Sequence, residues 1–321
     1  MPVQAALATV GIAKQTAKGT IATNPTFGHG VTGGQMVSMQ IDQALEERTS
    51  SARFAPNANR TGATPGFSFG TRLFSASAGL YLFGASGTKT VTGTSPYTHT
   101  ITLGDDLPYL TIFGKLESTI WAVQDAKISD VELSWSENDP LEMQVSGMGT
   151  AIAWAPTFAA TTDESRLAYM LPVGGTFQLS TTSATPAAAR ITAGSIKISN
   201  KLDAIFKSGT ITPDDLWTGQ QEVSVSLTVI PDDTLLWRSI VTGTTSGTSV
   251  NTTPPFGSFS VSFANGSDTL TVAATRVAFM TDFPEAKPSG GAIELQLEGL
   301  VTLPSSGSPL TVTLVNTTAS Y

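Results

Sequence analysis

Residues Leu141–Thr150 read LEMQVSGMGT, and residues Ile293–Thr302 repeat the phrase as IELQLEGLVT. Glu142 matches Glu294, and a glutamine, a glycine and a threonine recur at the same separation of 152 residues (294 − 142). Apolar residues alternate with the polar ones in both stretches, which predicts a β-strand with one buried face. The same strand is therefore expected twice, once in each half of the chain.

A second set of matches shows that the repeat is large. Ile41 lines up with Ile198 at a separation of 157 residues (198 − 41), and the Thr-Gly pair at 61–62 recurs at 218–219. This period is about half of the 321 residues, far longer than a solenoid repeat. It predicts that one domain was duplicated in tandem.

The domain boundaries follow from these shifts. We expect one β domain at residues 1–160 and a second at residues 161–321, joined by a linker near Ala155–Ser165. Two large copies of one unit in a chain indicate pseudo-symmetry, in which three chains occupy six equivalent positions of a ring.

Composition excludes several classes of function. Charged residues make up 13% of the chain, about half of the usual ~25%, and a surface with few charges suits extensive protein–protein contact. A low-charge secreted β protein is the alternative interpretation of this composition. The net charge is −8 with no long basic run, which argues against a site that grips nucleic acid by its phosphates.

The sequence shows no sign of a redox or membrane role. The chain contains no cysteine, which excludes disulfides and thiolate chemistry. Its N-terminal residues lack the basic and apolar regions of a signal peptide, and no segment approaches the ~18 apolar residues of a membrane span. We expect no membrane partner.

Alternation with a period of two dominates the chain and predicts antiparallel sheet. The clearest runs are residues 97–103, 130–135, 222–229, 259–264 and 310–314. One short helix is expected in each half, at residues 75–84 and at residues 234–242, the latter capped by the carboxylates of Asp232 and Asp233. The predicted fold class is all-β, a sandwich or barrel with one short helix per domain.

A long arm interrupts the alternation at residues 46–64, EERTSSARFAPNANRTGAT. It contains Arg48, Arg53 and Arg60, and its one large apolar side chain is Phe54. A structureless loop of this length is unusual in a compact domain. The segment is predicted to order against a neighbouring subunit, and a disordered loop is the alternative.

No constellation of reactive side chains is visible. The two histidines, His29 and His99, are far apart in sequence and lack metal-ligand spacing from other candidates. His29 lies between glycines, as in a loop, and His99 shares the apolar face of a strand, as in a core or interface. No nucleophile elbow or phosphate-binding glycine loop occurs. We predict no catalytic, cofactor or metal site, and no enzyme activity.

The order of several weak motifs is more specific than any one of them. Residues 15–20 read QTAKGT, an (E/Q)xxxGT phrase, and the arm comes after the next strand. The later motifs, in chain order, are ATPGFSFG, a small-residue helix ending near Gly84, YTHTITL, DAKISDVELSW and LEMQVSGMG. Over most of residues 1–150 the chain resembles the major tail tube proteins of long-tailed, siphovirus-like bacteriophages.

The resemblance implies a structural virion protein whose rings stack into a hollow tail tube that delivers the genome. In that family strands of each β-sandwich domain join an inner β-barrel between subunits, and a long loop contacts the adjacent ring. Homotrimeric, pseudo-sixfold rings are expected from the duplication, with homohexamers as the alternative. A tape measure protein and a tail terminator are the expected partners, and assembly takes place in the host bacterial cytoplasm.

The repeated strand supplies candidate residues for the channel wall. Alternation predicts a core face for Leu141, Met143, Val145, Ile293, Leu295 and Leu297. The opposite, polar face then carries the predicted lumen-facing residues Glu142, Gln144, Glu294, Gln296 and Glu298. An acidic lumen would repel DNA, which passes without specific binding. If the strands belong to an outer sheet, these side chains are merely solvated.

Two other classes of protein remain open on the sequence. One is a secreted or cell-surface β-sandwich that binds glycans or proteins, although clustered aromatic residues are not visible. The other is a different virion component, such as a tail terminator or a capsid decoration protein.

Overall fold

Strands make up most of the chain, as the alternating pattern predicts. The computed structural model describes residues 8–45, 57–137, 139–154, 157–164, 167–183, 185–233, 235–282 and 292–321. The first series of strands is β1 (Ala8–Lys14), β2 (Phe27–Gly30), β3 (Gly33–Leu45), β4 (Ala58–Arg72), β5 (Gly87–Thr92), β6 (Tyr97–Leu103), β7 (Leu110–Leu116), β8 (Thr119–Ser136), β9 (Glu142–Met148) and β10 (Ala151–Trp154).

The short strand β11 (Thr162–Asp163) connects this series to a second one. The second series is β12 (Phe177–Ser180), β13 (Ala187–Ala188), β14 (Ile191–Ser199), β15 (Leu202–Ile205), β16 (Asp215–Thr218), β17 (Glu222–Val229), β18 (Phe256–Asn265), β19 (Asp268–Thr281), β20 (Leu295–Val301) and β21 (Leu310–Asn316).

Both predicted helices are present. Helix α1 (Ser75–Ser86) ends at Gly87, whose φ of 90° is the left-handed conformation that glycine adopts without strain. Helix α2 (Leu235–Thr242) is preceded by Asp233, whose Oδ1 accepts a hydrogen bond from the Leu235 amide at 2.8 Å. This contact is the carboxylate cap that the sequence predicts.

The strands of the first series form two layers that share one long strand. One layer has the strand order β2-β1-β7-β8-β10 and contains the beginning of β8; it is called the first side layer. Strands β3, β4 and β9 pair with the end of β8 in the order β3-β4-β9-β8, while β5 and β6 form a hairpin. Asp125, with φ of 50°, lies where β8 passes from one layer to the other. Apolar side chains from both layers form the core between them.

The second series repeats these pairings. Its side layer has the order β13-β12-β18-β19-β21 and uses the beginning of β19. Strands β14, β17 and β20 pair with the end of β19 in the order β14-β17-β20-β19, while β15 and β16 form a separate two-stranded sheet. Helix α1 follows β4 and helix α2 follows β17, so the helices also occur at matching places.

The two series share one sheet and one core. Strand β14 pairs with the end of β8 over seven residue pairs, from Ala193↔Ser136 to Ser199↔Asp130. This junction produces a continuous eight-stranded sheet, β3-β4-β9-β8-β14-β17-β20-β19, called the wide sheet below. Trp135 of β8 lies 5.2 Å, between ring centroids, from Phe263 of the second series. Strand β6 of the first series also pairs with β21 of the second.

The expected linker at 155–165 is more ordered than its composition indicates. Within its described part, residues 157–164, Thr162 and Asp163 pair in parallel with Phe27 and Gly28 of β2. The Phe158 ring packs edge-on against Phe113, and the next element begins only after the fully buried Glu164. This stretch therefore forms part of the first side layer, because strand pairing and aromatic contact fix it there.

Candidate functional surfaces

The wide sheet has one buried apolar face and one polar face. The apolar face includes Val131, Val145, Val225 and Leu297, all nearly inaccessible to solvent. The strand registers arrange the polar side chains in rows that run across the sheet. One row joins Arg72, Glu142, Ser134, Ser195, Ser226, Glu298 and Met280. The next joins Gly70, Gln144, Glu132, Lys197, Ser224, Leu300 and Ala278.

The predicted wall residues occupy the polar side of the repeated strand. Gln144, Glu294, Gln296 and Glu298 are exposed, and Glu142 is partly exposed with a carboxylate oxygen 2.7 Å from Arg72 Nη1. Strand registers bring Glu142 and Glu298 into one row. Glu294 lies just before β20 begins.

The apolar partners of these residues are buried with one exception. Leu141, Met143, Val145, Leu295 and Leu297 lie in the core as predicted. Ile293 was expected there too and is 44% exposed. The prediction was wrong because β20 begins only at Leu295, where pairing with Val229 starts, so strand alternation does not extend to residue 293.

Other charged residues share this polar face and were not selected from the sequence. They are Asp130, Glu132, Lys197 and Glu222, on strands β8, β14 and β17. The alternation of each with buried apolar residues could have assigned it to a polar strand face. Only pairing across the β8–β14 junction, however, brings these residues onto one surface. Together with Glu142, Glu298 and Arg72, these side chains make five carboxylates and two cations on the polar face. Its net charge is therefore negative.

Asp130 is held in the ionised form at the junction between the two series. Burial alone would raise the pKa of its carboxyl. Hydroxyl groups of Ser129 and Ser146 donate to Oδ2 at 2.7 and 3.2 Å, and Lys197 Nζ lies 3.3 Å from Oδ1. Hydrogen bonds from Ser129 and Ser199, together with the charge of Lys197, outweigh burial and lower the pKa of Asp130 below its usual value. A negative charge at the β8–β14 junction is thus maintained at neutral pH.

Both ends of the wide sheet are open in the described part of the chain. Strand β3 pairs with β4 alone, so its other edge presents unpaired backbone groups. At the far end, the ladder between β18 and β19 stops at Ala278, and the following residues of β19 pair only with β20. Exposed edges of this kind are templates for pairing with another chain.

Part of the predicted arm is a strand. Residues 58–64 belong to β4 and pair with β3, with Arg60 opposite Gln43 and exposed. The expectation of irregular structure was wrong here. Residues 58–61 are exposed and need no apolar alternation, and burial begins only at Gly62 and Ala63. Arg48, Arg53 and Phe54 lie outside the described residues.

The histidines are structural side chains. His29 lies in strand β2 rather than in the expected loop, and its Nε2 is 3.0 Å from the Tyr81 hydroxyl. Burial lowers the pKa of His29 to about 4, so the ring is neutral at physiological pH. His99 is a buried histidine, as predicted, with Nε2 2.8 Å from the Thr318 carbonyl oxygen. Among the described residues, no three His, Asp or Glu side chains are placed to hold a metal ion.

In the described residues, the chain is an all-β protein with two open sheet edges that are suited to pairing with further copies of the chain. The chain belongs to the phage tail tube protein family, whose family model matches residues 5–299. A search of curated proteins finds no match. The protein is thus a structural component of the virion tail that assembles with copies of itself into the tube.

This family membership decides between the classes of protein considered above. It does not favour a secreted binding protein, a tail terminator or a capsid decoration protein. Membership of a structural family also indicates a protein without enzymatic activity. In the described residues neither helix has the length and apolar character to cross a bilayer.

Proposed function

We propose that three chains close one ring of the tail tube, with tandem domains at residues 1–160 and 161–321 filling six equivalent positions. The β8–β14 junction carries this proposal, because it joins two four-strand units of the same order edge to edge within one chain. If β3 of each chain pairs in the same way with β19 of its neighbour, three wide sheets give a barrel of 24 strands (3 × 8). A hexameric ring would require the second series to lie outside the barrel, and its place in the wide sheet argues against that.

The polar face of the wide sheet is proposed to form the channel wall. Side chains on the apolar face are occupied by the core, so the polar face is the one available to line a lumen. Its carboxylates, including the predicted Glu142, Glu294 and Glu298, would repel phosphate and let DNA pass without specific binding. Gln144 and Gln296 add uncharged polar groups; the Gln296 amide donates to the Thr228 hydroxyl at 2.9 Å.

The end of the β3–β4 hairpin is proposed to contact the adjacent ring. Residues 43–45 and 58–60 pair with each other and are exposed on both faces, so the hairpin projects from the core. Arg60 would contribute a cation there, with Arg48, Arg53 and Phe54 as further candidates. A tape measure protein inside the tube and a tail terminator at its end are the other proposed partners.

Electron microscopy of the purified protein tests both the ring and the arm. We expect tubes of constant diameter whose rings have threefold symmetry. Replacing residues 46–57 by Asn-Gly connects Leu45 to Ala58 by a two-residue turn suited to this hairpin. This variant should form soluble rings that do not stack, with the circular dichroism of the parent. Rings of six chains would contradict the trimer, and normal tubes from the variant would contradict the arm.

The wall assignment predicts an effect of charge on DNA passage. Glu298→Lys should slow DNA release from assembled particles several-fold, because a cation on the wall attracts phosphate. Asp268→Lys, at the first residue of β19 next to the β18–β19 turn, is the matched control and should release DNA at the wild-type rate. Release is followed with a dye that fluoresces on DNA. Equal rates for both variants, or a map with Glu298 on the tube exterior, would eliminate this assignment.

A further inference from the structure

An exposed apolar groove lies along strand β10, the last strand of the first side layer. Trp154 is 74% exposed and its ring centroid lies 5.9 Å from that of Trp121. Ile152 and Met39 continue the apolar lining, and the groove has a volume of about 740 Å³. An exposed tryptophan flanked by other apolar side chains is typical of a protein–protein contact.

The corresponding surface of the second series is covered. Trp154 pairs with Trp121 across β10 and β8, and Leu314 pairs with Leu270 across β21 and β19 in the matching strands. Yet Leu314 and Leu270 are completely buried, in contrast to Trp154. The same place in the fold is therefore covered in one series and open in the other.

Elements of the first series provide that cover. Strand β6 pairs with the outer edge of β21, which places His99 opposite Leu314. Helix α1 packs between the series, and all of its residues from Ser77 to Ser86 are buried. Among the described residues, no strand pairs with the outer edge of β10.

The second series contains elements that correspond to α1 and the β5–β6 hairpin, and these elements have exposed apolar side chains. Helix α2 follows β17 as α1 follows β4, but its buried residues are Ser239 and Ile240 alone. Leu235 at its start is 41% exposed. Residues 243–255 take the place of the β5–β6 hairpin in chain order, and Val250 in that segment is 75% exposed.

We propose that the groove along β10 receives α2 and residues 243–255 of a second copy of this chain. The contact repeats between chains what α1 and β6 do within one chain. It rests on the proposed ring, in which the second series of one chain neighbours the first series of the next. The junction within a chain and the junction between chains then differ. Within a chain, the β5–β6 hairpin pairs with β21; between chains, α2 and residues 243–255 bind in the groove. Trp154 is the central anchor of the groove.

Assembly of tryptophan variants tests this contact. Trp154→Ala should raise the protein concentration needed for ring formation at least tenfold, because a large buried apolar contact is lost. The side chain is exposed in the single chain, so the unfolding temperature should not change. Trp217→Ala, which removes a tryptophan that is 65% exposed on β16, is the matched control and should assemble as the wild type does.

Cross-linking identifies the occupant of the groove. Because the chain has no cysteine, Gln35→Cys in the groove and Val250→Cys add the only two thiols. A short bismaleimide should link the assembled double variant into closed trimers, and Trp217→Cys with Val250→Cys should stay unlinked. Ladders longer than three chains would show contact between rings instead, and linkage within a dilute single chain would show self-occupation.

The outcomes separate this inference from the ring itself. The proposed ring would be overturned if the wild-type protein formed neither tubes nor rings of three chains. Threefold wild-type rings, together with normal assembly of Trp154→Ala or no cross-link in the double variant Gln35→Cys, Val250→Cys, would overturn the groove contact alone.

Discussion

Replacing Gly147 by alanine is expected to lower the free energy of unfolding by about 3 kcal/mol, the upper part of the usual range for overpacking. Gly147 is the glycine of the repeated phrase, on β9 between β4 and β8. A Cβ atom there would overlap the carbonyl oxygen of Lys127 and the ring of Phe67. The carbonyl belongs to the paired backbone and cannot move without breaking the ladder. Urea unfolding should show a lower midpoint with an unchanged slope.

The second copy of the phrase supplies a matched comparison. A Cβ on Gly299 would lie 2.7 Å from Val277 Cγ1 and 3.0 Å from the Phe279 ring, which are side-chain atoms that can shift. Gly299→Ala should therefore cost about 1 kcal/mol. Gly30→Ala, where a Cβ meets no atom within 4 Å, should be close to neutral. Equal midpoints for Gly147→Ala and Gly30→Ala would contradict the steric argument.

Replacing Glu164 by glutamine is expected to stabilise the protein at alkaline pH by about 3 kcal/mol relative to the wild type. Glu164 is fully buried and its Oε1 accepts a hydrogen bond from the Ser77 amide at 3.0 Å. No described residue hydrogen-bonds to its Oε2. Burial raises the pKa of this carboxyl from 4.5 to about 7, although contacts with Ser77 and Ala76 oppose the shift.

The sign of the pH dependence follows from this raised pKa. Between about pH 4.5 and pH 7 the folded chain holds a proton on Glu164 that the unfolded chain has released. The stability contributed by the protonated form is complete below that interval and is lost as pH rises through it. Glutamine stays neutral, so the stability difference between variant and wild type should grow from near zero at about pH 4 to its full value at about pH 8.

Urea titrations at several pH values measure this difference. Asp203→Asn, at an exposed carboxylate on β15, is the control and should leave the wild-type pH dependence unchanged. Parallel curves for the wild type and Glu164→Gln would show that folding leaves the pKa of Glu164 unchanged, and would contradict this prediction.

Sequence patterns predicted the local elements well. Alternation located the strands around Val131, Val225 and Val312, and the Asp233 cap located α2. The polar positions of the repeated strand were also predicted, because alternation assigns faces without knowledge of the partner strand. The pattern failed at Ile293 and at residues 58–64, where a strand begins late or leaves the core. At such places local sequence does not reveal how far pairing extends.

The amino-acid sequence by itself determined the all-β class, the two helices, the internal repeat and the acidic character of the chain. These properties depend on residue type and short-range spacing. Tertiary structure alone decided that β8 joins β14, that Glu132 and Lys197 lie side by side, and that Trp154 is exposed while Leu314 is buried. Those facts depend on contacts between residues distant in sequence. Backbone hydrogen bonds between strands are the same for nearly any residue, so local sequence patterns do not reveal which strand edges meet.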